Sequence, residues 1–162
     1  MRFAYADPPY PGTAHKRYGR DEVDHVALIE TLVAGYPDGW ALSSNSQSLR
    51  LLLPLCPPDV RVLAWVKPSV LPVSGGLCYC WEPVILSGGR PFEPHRVWRR
   101  DWKWADRRGD MQFRGAKPDE VCRWLFDCFN AQPGDELDDL YPGSGAVARA
   151  WANWQAQTRL AV

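Results

Sequence analysis

The sequence predicts a three-layer α/β domain built on a mostly parallel β-sheet. Short apolar runs bounded by proline and glycine alternate along the chain with longer segments whose apolar residues recur at helical spacing. Two conspicuous motifs, Asp7 to Tyr10 and Asp139 to Gly145, each coincide with the end of a predicted strand. Because ligands of such sheets bind at the carboxyl ends of the strands, we expect both motifs at one edge of the sheet.

Composition limits the number of domains and the classes of function. The chain has 162 residues, of which 46% are hydrophobic, so we expect a single domain over residues 1–162 with one core. The formal net charge is zero, which means that the whole chain is not an electrostatic nucleic-acid binder and that any basic surface is local. No apolar stretch reaches the roughly 18 to 20 residues of a membrane span, so we expect no membrane partner.

The five cysteines and the start of the chain favour a cytoplasmic protein. The number of cysteines is odd, and the N-terminus enters a predicted strand by residue 2 or 3 without a secretory signal. A zinc site is the lesser alternative, because its candidates lack the usual two-residue spacer and lie on apolar segments. We expect buried thiols and no metal; the cysteines concerned are Cys78, Cys80, Cys122 and Cys128, with Cys56 as the fifth.

The first half of the chain is predicted to alternate between strands and helices. The opening strand, Phe3 to Ala6, ends at Asp7 because two prolines follow, and each lacks the backbone N–H that a sheet requires. The next elements are a helix from Asp21 to Ala34 with Asp21 and Glu22 in its first turn, a strand from Trp40 to Ser43, and a short helix from a Ser46 cap to about Leu53.

The second half continues the same alternation. Proline at the first turn of a helix, followed by acidic residues, marks the start of an amphipathic helix at Pro118. In chain order we predict strands from Val60 to Val66 and from Glu82 to Leu86, the helix from Pro118 to about Asn130, a strand around Glu136 to Leu140, and a helix from Ala146 to about Gln155.

The residues Asp7, Pro8, Pro9 and Tyr10 form the first candidate site. They present a carboxylate, two rigid backbone carbonyls and an aromatic ring together in a stiff loop. This set suits a planar group that carries an amine, since the oxygens accept its N–H bonds and the ring stacks on its face. An ordinary strand-ending turn with a surface tyrosine is the alternative that this motif alone leaves open.

The second candidate site is the loop from Asp139 to Gly145. Gly143 and Gly145 lie where the last predicted strand turns into a helix, so their backbone can approach a ligand closely and offer unpaired N–H groups. A tight turn without any ligand also favours glycine. The loop therefore gains weight from its expected place beside the first motif.

Together the motifs resemble the S-adenosylmethionine-dependent amino methyltransferases that modify adenine N6 or cytosine N4 in DNA. The resemblance runs from about residue 3 to residue 151, and the order of the motifs, catalytic first and cofactor last, is similar to the permuted beta type in a short form. It implies a class I, Rossmann-like methyltransferase domain. The matching segments are Asp7 to Tyr10, Asp139-Leu140-Tyr141-Pro142-Gly143-Ser144-Gly145, Lys117-Pro118, Trp65-Val66-Lys67-Pro68 and Trp81 to Leu86.

The resemblance also implies a role for each motif. Asp7 and the Pro8 carbonyl would accept the two N–H bonds of the target amine, and Tyr10 would stack on the target base. S-adenosylmethionine would lie over the glycine loop; the residues implied in its binding are Asp139, Tyr141, Pro142, Gly143, Ser144, Gly145, Lys117 and Pro118.

The favoured substrate is adenine N6 in DNA. Cytosine N4 and RNA adenine are the close alternatives, because the motif serves any amidine-like amine. A catalytically inactive nucleic-acid-binding or partner subunit is the alternative of a different class.

The end of the chain departs from the family pattern. In the family another strand follows the glycine loop, and its terminal acidic residue binds the cofactor ribose. No acidic residue follows Leu140 here, and Thr158 to Val162 is the stretch left for a stub of that strand. We therefore expect a domain truncated after the glycine loop and its helix, with an exposed strand edge that a homodimer would cover.

Two basic segments are candidate nucleic-acid contacts. Residues 90–115 contain eight basic and four acidic residues with three interleaved tryptophans, and are expected to form a short target-recognition loop. The alternative for this segment is a loop whose tryptophans pack on the core and whose arginines pair with the nearby aspartates. The second segment, Pro11 to Arg20, follows the first motif and is expected either to clamp phosphates or to be a solvated, mobile loop. The candidate residues are His15, Lys16, Arg17, Arg20, Arg96, Arg99, Arg100, Lys103, Arg107 and Arg108.

Overall fold

The fold alternates strands and helices, as the sequence predicts. The structure is a computed structural model that describes residues 1–15, 19, 21–68, 78–93, 98–106 and 116–160. In chain order its elements are β1 (Arg2–Ala6), α1 (His25–Gly35), β2 (Gly39–Ser43), α2 (Leu49–Leu52) with a 3₁₀ turn (Leu53–Leu55), β3 (Arg61–Val66), β4 (Trp81–Gly88), β5 (Trp102–Trp104), α3 (Asp119–Cys128), β6 (Glu136–Asp139) and α4 (Ala146–Leu160).

The described strands form one six-stranded sheet in the order β5-β3-β4-β2-β1-β6. Strand β4 runs antiparallel to its neighbours β2 and β3, whereas the pairs β1–β2, β1–β6 and β3–β5 are parallel. Five strands therefore point the same way, which confirms the mostly parallel sheet. The two outer strands of the described sheet are β5 and β6. The strand edge that the sequence predicts beside the glycine loop is therefore the outer side of β6.

Helices cover both faces of the sheet, which confirms the three layers. Alternate residues of β1 show this directly, because neighbouring strand residues point to opposite faces. Phe3 and Tyr5 pack with α3 and α4, and Ala4 and Ala6 pack with α1 and α2. Since all four side chains are almost completely buried, β1 is a central strand, and it places Asp7 at a fixed point on the edge of the sheet.

Helices α3 and α4 are joined through aromatic rings. The Phe126 ring of α3 meets the edge of Trp151 at 4.8 Å between centroids, and Trp151 stacks on Trp154 at 4.9 Å. Burial of an aromatic side chain such as Phe126 stabilises a fold by about 2 to 3 kcal/mol. This contact fixes the helix that follows the glycine loop against the helix that begins after Lys117.

Two predicted helix starts are wrong, because neighbouring residues make the caps. Asp21 and Glu22 precede α1, whose N-cap is Asp24, and the Asp24 carboxylate accepts the Ala27 N–H at 3.0 Å. Ser46 does not cap α2; the helix follows a turn in which the Asn45 side chain accepts the Ser48 N–H at 2.8 Å. In both places a neighbouring residue makes the local side-chain hydrogen bond to the backbone that the prediction gave to another residue.

The structure also corrects two assignments outside the helix starts. Residues 102–104, within the segment expected to be a loop, form strand β5, because they find a partner in β3. Thr158 was expected to begin a strand stub, yet Thr158 to Leu160 continue α4, and the Thr158 hydroxyl donates to the Trp154 carbonyl at 2.8 Å. Residues 161 and 162 of that predicted stub lie outside the described residues.

Candidate active site

Acidic and basic side chains from four strands meet at one edge of the sheet. Asp7 follows β1, Lys67 follows β3 and Asp139 ends β6, and these strands are parallel. Glu82 is the second residue of β4, which runs the opposite way and therefore begins where the others end. This edge holds both motifs that the sequence identified.

The loop after β1 is held by hydrogen bonds on both sides of the prolines. The Tyr5 carbonyl accepts the Leu140 N–H at 2.9 Å, and the Tyr10 carbonyl accepts the Thr13 N–H at 2.9 Å. The Glu22 carboxylate accepts the N–H groups of Gly12 and Ala14, at 3.0 and 3.1 Å. Glu22, predicted within a helix, thus fixes the segment that follows Tyr10.

Four charged side chains and Tyr10 form a connected network, which we call the ion cluster: Asp7, Lys67, Glu82 and Lys117, with the Tyr10 hydroxyl. The Lys117 ammonium lies 3.1 Å from the nearer oxygen of Asp7 and 3.2 Å from Oε2 of Glu82, so it bridges the two carboxylates. Lys67 donates to Oε1 of Glu82. The Tyr10 hydroxyl donates to Oε2 of Glu82 at 3.2 Å.

The ion cluster is buried against a tryptophan ring. The side chains of Lys67 and Lys117 are each 6% exposed, and their ammonium groups lie 4.7 and 5.2 Å from the centroid of the Trp65 ring. The Trp65 indole N–H donates to the Ala105 carbonyl at 2.9 Å, which holds the ring in place. Two carboxylates offset two ammonium groups, so the buried charges are compensated.

The pKa values of the ion cluster follow from burial and from this pairing. Burial raises the pKa of Asp7, although the neighbouring Lys117 charge opposes the rise. Burial alone would raise the pKa of Glu82 too, but the charges of Lys117 and Lys67 prevail and lower it to about 2. For Lys117, burial favours the neutral amine, yet the nearby Asp7 carboxylate leads the groups that raise its pKa well above the usual value. Both members of the Lys117–Glu82 pair therefore stay charged near neutral pH.

Asp139 presents the opposite environment on the adjacent strand. In the β1–β6 register Asp139 lies opposite Tyr5, which is two residues before Asp7. Both of its carboxylate oxygens are buried without a hydrogen-bond partner among the described residues. Burial raises the pKa of Asp139. The Tyr141 backbone N–H, which acts on the carboxylate without reaching hydrogen-bond geometry, offsets this rise only in part, and the Asp7 charge adds to it. A buried acceptor without a donor is the arrangement expected where a donor arrives with a ligand.

The loop next to Asp139 requires glycine at position 145, the second of its two glycines. Gly143 and Gly145 have φ angles of +47° and +71°, which favour glycine. A Cβ on Gly145 would also lie 3.1 Å from Nη1 of Arg149, which donates to the Ser144 carbonyl at 2.7 Å. Arg149, in the first turns of α4, thereby fixes the loop, and the sequence did not identify it.

The structure brings some of the predicted site residues together and separates others. Asp7, Tyr10 and Lys117 lie in the ion cluster, and Pro118 is the N-cap residue of α3 directly after it. Lys117 was predicted to shape the cofactor pocket, and the structure places its ammonium on Asp7. Tyr141, Pro142 and Ser144 lie in the loop between β6 and α4 and are partly or fully exposed.

Lys67 and Glu82 are the site residues that sequence reasoning missed. Both lie in segments that resemble family strands, but neither was included among the candidate site residues. The available signal was their position: Lys67 directly after a predicted strand, and Glu82 at the start of one. Only the antiparallel direction of β4 brings Glu82 to the edge where Lys67 lies.

Four of the ten candidate nucleic-acid contacts are among the described residues. His15, Arg99 and Arg100 are exposed, whereas the Lys103 ammonium lies 3.5 Å from the Glu120 carboxylate. The Arg100 guanidinium lies over the Trp102 ring, 5.0 Å from its centroid. The other six, Lys16, Arg17, Arg20, Arg96, Arg107 and Arg108, lie outside the described residues.

Strand β5 exposes two tryptophans on one face of the sheet. Trp102 and Trp104 are 43% and 61% exposed, and they pair in register with Ala64 and Val66 of β3. Lys103 between them reaches Glu120 of α3, so the tryptophans point to the opposite face. That face of β3 and β5 is thus an accessible aromatic surface, which we call the tryptophan face.

The five cysteines are free thiols, but three of them are not buried as expected, and of these Cys56 is partly buried. Cys78 and Cys80 are exposed, and Cys122 and Cys128 are buried. Within the described ranges no group of three or more histidine, cysteine or acidic residues could hold a metal ion. None of the helices in the same ranges is long and apolar enough to cross a membrane.

Comparisons with known proteins identify the fold. No protein-family model and no curated protein sequence matches the chain. Two crystal structures of M1.HpyAVI are similar to it at 15% identity: the complex with SAM has a TM-score of 0.62 and the other 0.61. Both alignments cover 94% of this chain, and 78% and 76% of the M1.HpyAVI chains. The chain therefore has the predicted Rossmann-like methyltransferase fold.

Proposed function

We propose that this protein transfers a methyl group from S-adenosylmethionine to the exocyclic amino group of a nucleobase, with adenine N6 in DNA as the favoured substrate. The observation that carries the proposal is the placement of two unlike carboxylates at the ends of the neighbouring strands β1 and β6. Asp7 lies in a rigid proline loop, and Asp139, beside the glycine loop, has oxygens without a donor among the described residues. The end of β1 thus offers an acceptor for the amine, and the end of β6 offers an acceptor for the cofactor.

The residues at the end of β6 fit the methionine part of S-adenosylmethionine. That part carries an ammonium group, and the unpartnered Asp139 carboxylate is the acceptor such a group requires. Gly143 and Gly145 let the backbone approach the ligand without a Cβ. A protein of the same fold, M1.HpyAVI, has been crystallised with SAM.

The proline loop can solve the chemical difficulty of the reaction. S-adenosylmethionine supplies an electrophilic methyl group on a positively charged sulfur. An aromatic amine is a poor nucleophile because its lone pair is delocalised into the ring, and accepting its N–H bonds at Asp7 and the Pro8 carbonyl favours a tetrahedral nitrogen. The N–C bond forms as the S–C bond breaks, and the nitrogen then loses one proton, for which the 22% exposed Asp7 side chain offers a path to solvent.

The Lys117 contact makes Asp7 chiefly a hydrogen-bond acceptor. An ammonium at 3.1 Å favours the carboxylate form, which opposes the rise in pKa that burial causes. An ionised carboxylate can accept from the amine before the methyl group moves. Tyr10 stacks on the target base in this proposal, with its hydroxyl held by Glu82.

The tryptophan face supports nucleic acid as the substrate. Trp102 and Trp104 are accessible to stack with bases, and Arg100 adds a cation beside them. We therefore retain residues 90–115 as a short target-recognition segment. The target base must leave a duplex to reach Asp7, so unpaired or flipped bases are the reacting form. Cytosine N4 and RNA adenine remain the alternatives.

A binding or partner subunit without catalysis is the second candidate. It is favoured by the position of β6 as an outer strand of the described sheet, which leaves one side of the strand next to the glycine loop for a partner. In that case, or in an active homodimer, a second copy would cover β6. The free state of all five cysteines leads us to infer a cytoplasmic location in either case.

One assay with two readouts tests the proposal. The purified protein is incubated with methyl-labelled S-adenosylmethionine and with single-stranded DNA, duplex DNA or RNA, and the digested nucleosides are identified. We expect label in N6-methyladenine from DNA; label in N4-methylcytosine or in RNA would reassign the substrate. In parallel, a calorimetric titration measures cofactor affinity. Absence of both binding and transfer would contradict the enzyme proposal and leave the binding subunit.

A further inference from the structure

Glu82 is the central member of the ion cluster, because it contacts Lys67, Lys117 and Tyr10, and it has no ligand role in the proposal. Among the described residues its carboxylate accepts from three donors: Lys67 at Oε1, and Lys117 and the Tyr10 hydroxyl at Oε2, each of the latter at 3.2 Å. The side chain is only 13% exposed. A buried carboxylate with three donors is a stable anchor for the groups that it holds.

The position of Glu82 follows from the sheet. In the antiparallel β3–β4 pair, Glu82 lies opposite Trp65, whose ring supports the ammonium groups of Lys67 and Lys117. The Lys67 N–H donates to the Cys80 carbonyl at 2.8 Å, which closes this end of the pair. Glu82 is therefore fixed by strand register and does not depend on a mobile loop.

Both groups that Glu82 holds on Oε2 act at the proposed reaction site. Tyr10 belongs to the proline loop, and its ring is the proposed stacking surface for the base. Lys117 contacts both oxygens of Asp7, at 3.1 and 3.2 Å, so its position determines the charge next to the amine acceptor. A change at Glu82 would thus reach the reacting amine through two different side chains.

We propose that Glu82 is a positioning residue for the methyl transfer, which fixes the Tyr10 ring and the Lys117 ammonium around Asp7 without contacting the target amine itself. This inference rests on the proposed function. It predicts two separable contributions of Glu82: its negative charge acts on Asp7, and its reach, set by the length of the side chain, orients Tyr10.

Two substitutions separate these contributions. Glu82→Gln keeps the shape and removes the charge, which leaves two ammonium groups with one carboxylate. Because the Glu82 charge raises the pKa of Asp7, its removal should lower that pKa and move the acid limb of the kcat/KM profile to lower pH. Glu82→Asp keeps the charge but shortens the side chain, so kcat should fall while the titration of Asp7 stays near that of the wild type.

The decisive measurement does not require turnover. The Asp7 carboxyl is followed by ¹³C NMR over a pH titration in protein with ¹³C-labelled aspartate, and its resonance is assigned by its loss in Asp7→Asn. We expect the midpoint to move down in Glu82→Gln and to stay in place in Glu82→Asp and in the control Glu120→Gln, whose carboxylate contacts Lys103 on the surface. An unmoved midpoint in Glu82→Gln would overturn the proposal even if methyl transfer is observed.

Activity gives the second readout. We expect kcat to fall by roughly 10-fold to 100-fold in Glu82→Gln and in Glu82→Asp, because each loses a charge-assisted hydrogen bond. Cofactor affinity should stay within about 2-fold of the wild type. Tyr10→Phe combined with Glu82→Asp should be little worse than Glu82→Asp alone, because both remove the same contact. Independent, multiplying losses would show that Glu82 does not act through Tyr10. If the wild type transfers no methyl group, the proposed function fails. The titration still shows whether the Glu82 charge acts on the pKa of Asp7.

Discussion

Glu82 and Asp139 lie at the same edge of one sheet in opposite states. Among the described residues Glu82 accepts from three donors, and its pKa falls to about 2. In the same part of the chain Asp139 accepts no hydrogen bond, and burial raises its pKa. The region around Glu82 is complete without a ligand. The region around Asp139 is not. The difference indicates that the half of the site proposed to bind the amine is preformed, whereas the half proposed to bind the cofactor lacks a hydrogen-bond donor that the ligand would supply.

The largest effect that would test this division is expected at Asp7. Asp7→Ala removes the amine acceptor, and methyl transfer should fall by at least about 1,000-fold, since such acceptors act mainly on the transition state. Cofactor affinity, measured by calorimetry, should be nearly unchanged because Asp139 and the glycine loop are intact. Substantial remaining turnover would refute the role given to the proline loop.

The next effect concerns the contribution of Glu82 to stability, which tests whether the ion cluster is preformed. The pKa of Glu82 is lowered to about 2 in the folded protein. The Glu82 carboxylate therefore adds to the free energy of unfolding above its pKa in the unfolded chain, and this contribution is lost as pH falls towards 2. Glu82→Gln should therefore be less stable at neutral pH by up to about 3 kcal/mol, with the gap closing in acid. Urea unfolding at both pH values checks this. Glu120→Gln, an exposed partner of Lys103, should differ from the wild type by less than about 0.5 kcal/mol at either pH.

The incomplete half predicts a trade between affinity and stability at Asp139. Asp139→Asn should weaken cofactor binding by about 10-fold to 100-fold, because a neutral amide replaces a charged acceptor. Without the cofactor the variant should be more stable at neutral pH, since the raised pKa of Asp139 means that its buried carboxylate opposes folding once it is ionised. Calorimetry and urea unfolding measure the two effects. Weaker binding with lower stability would show that Asp139 has a structural partner.

The smallest effect compares two glycines with positive φ. Gly145→Ala and Gly134→Ala should each cost about 1 to 2 kcal/mol of stability, because φ is +71° and +94°. A Cβ on Gly134 meets nothing within 4 Å, whereas on Gly145 it meets Arg149 at 3.1 Å. Only Gly145→Ala should therefore also weaken cofactor binding, by a few-fold. Equal cofactor affinity in the two variants would show that the glycine loop is not part of the cofactor site.

Sequence alone predicts the edge residues that follow strands. Asp7 and the loop after Asp139 are predictable because prolines and glycines stop the strands that precede them, and parallel strands end together. Glu82 is not predictable in this way, since it begins its strand. The direction of β4 is a property of the whole sheet, and no local pattern near Glu82 encodes it.

The short strand β5 and the helix caps were missed for related reasons. Trp102 to Trp104 are surrounded by arginines, so the local composition is typical of a basic loop, and only pairing with β3 makes these residues a strand. At α2, Asn45 and Ser46 are adjacent polar residues, and the backbone geometry of the turn decides which one accepts the Ser48 N–H. Both outcomes depend on tertiary context.

The antiparallel direction of β4 has a consequence for the order of folding. Lys67 and Glu82 are fifteen residues apart and are joined by neighbouring strands, so their contact closes a short loop. Asp139 reaches β1 only when strands at opposite ends of the chain pair, as the contact of Met1 with Asp135 illustrates at a separation of 134 residues. Because short loops close at a lower entropic cost, we expect the β3–β4 part of the ion cluster to form early and the strand that carries Asp139 to dock late.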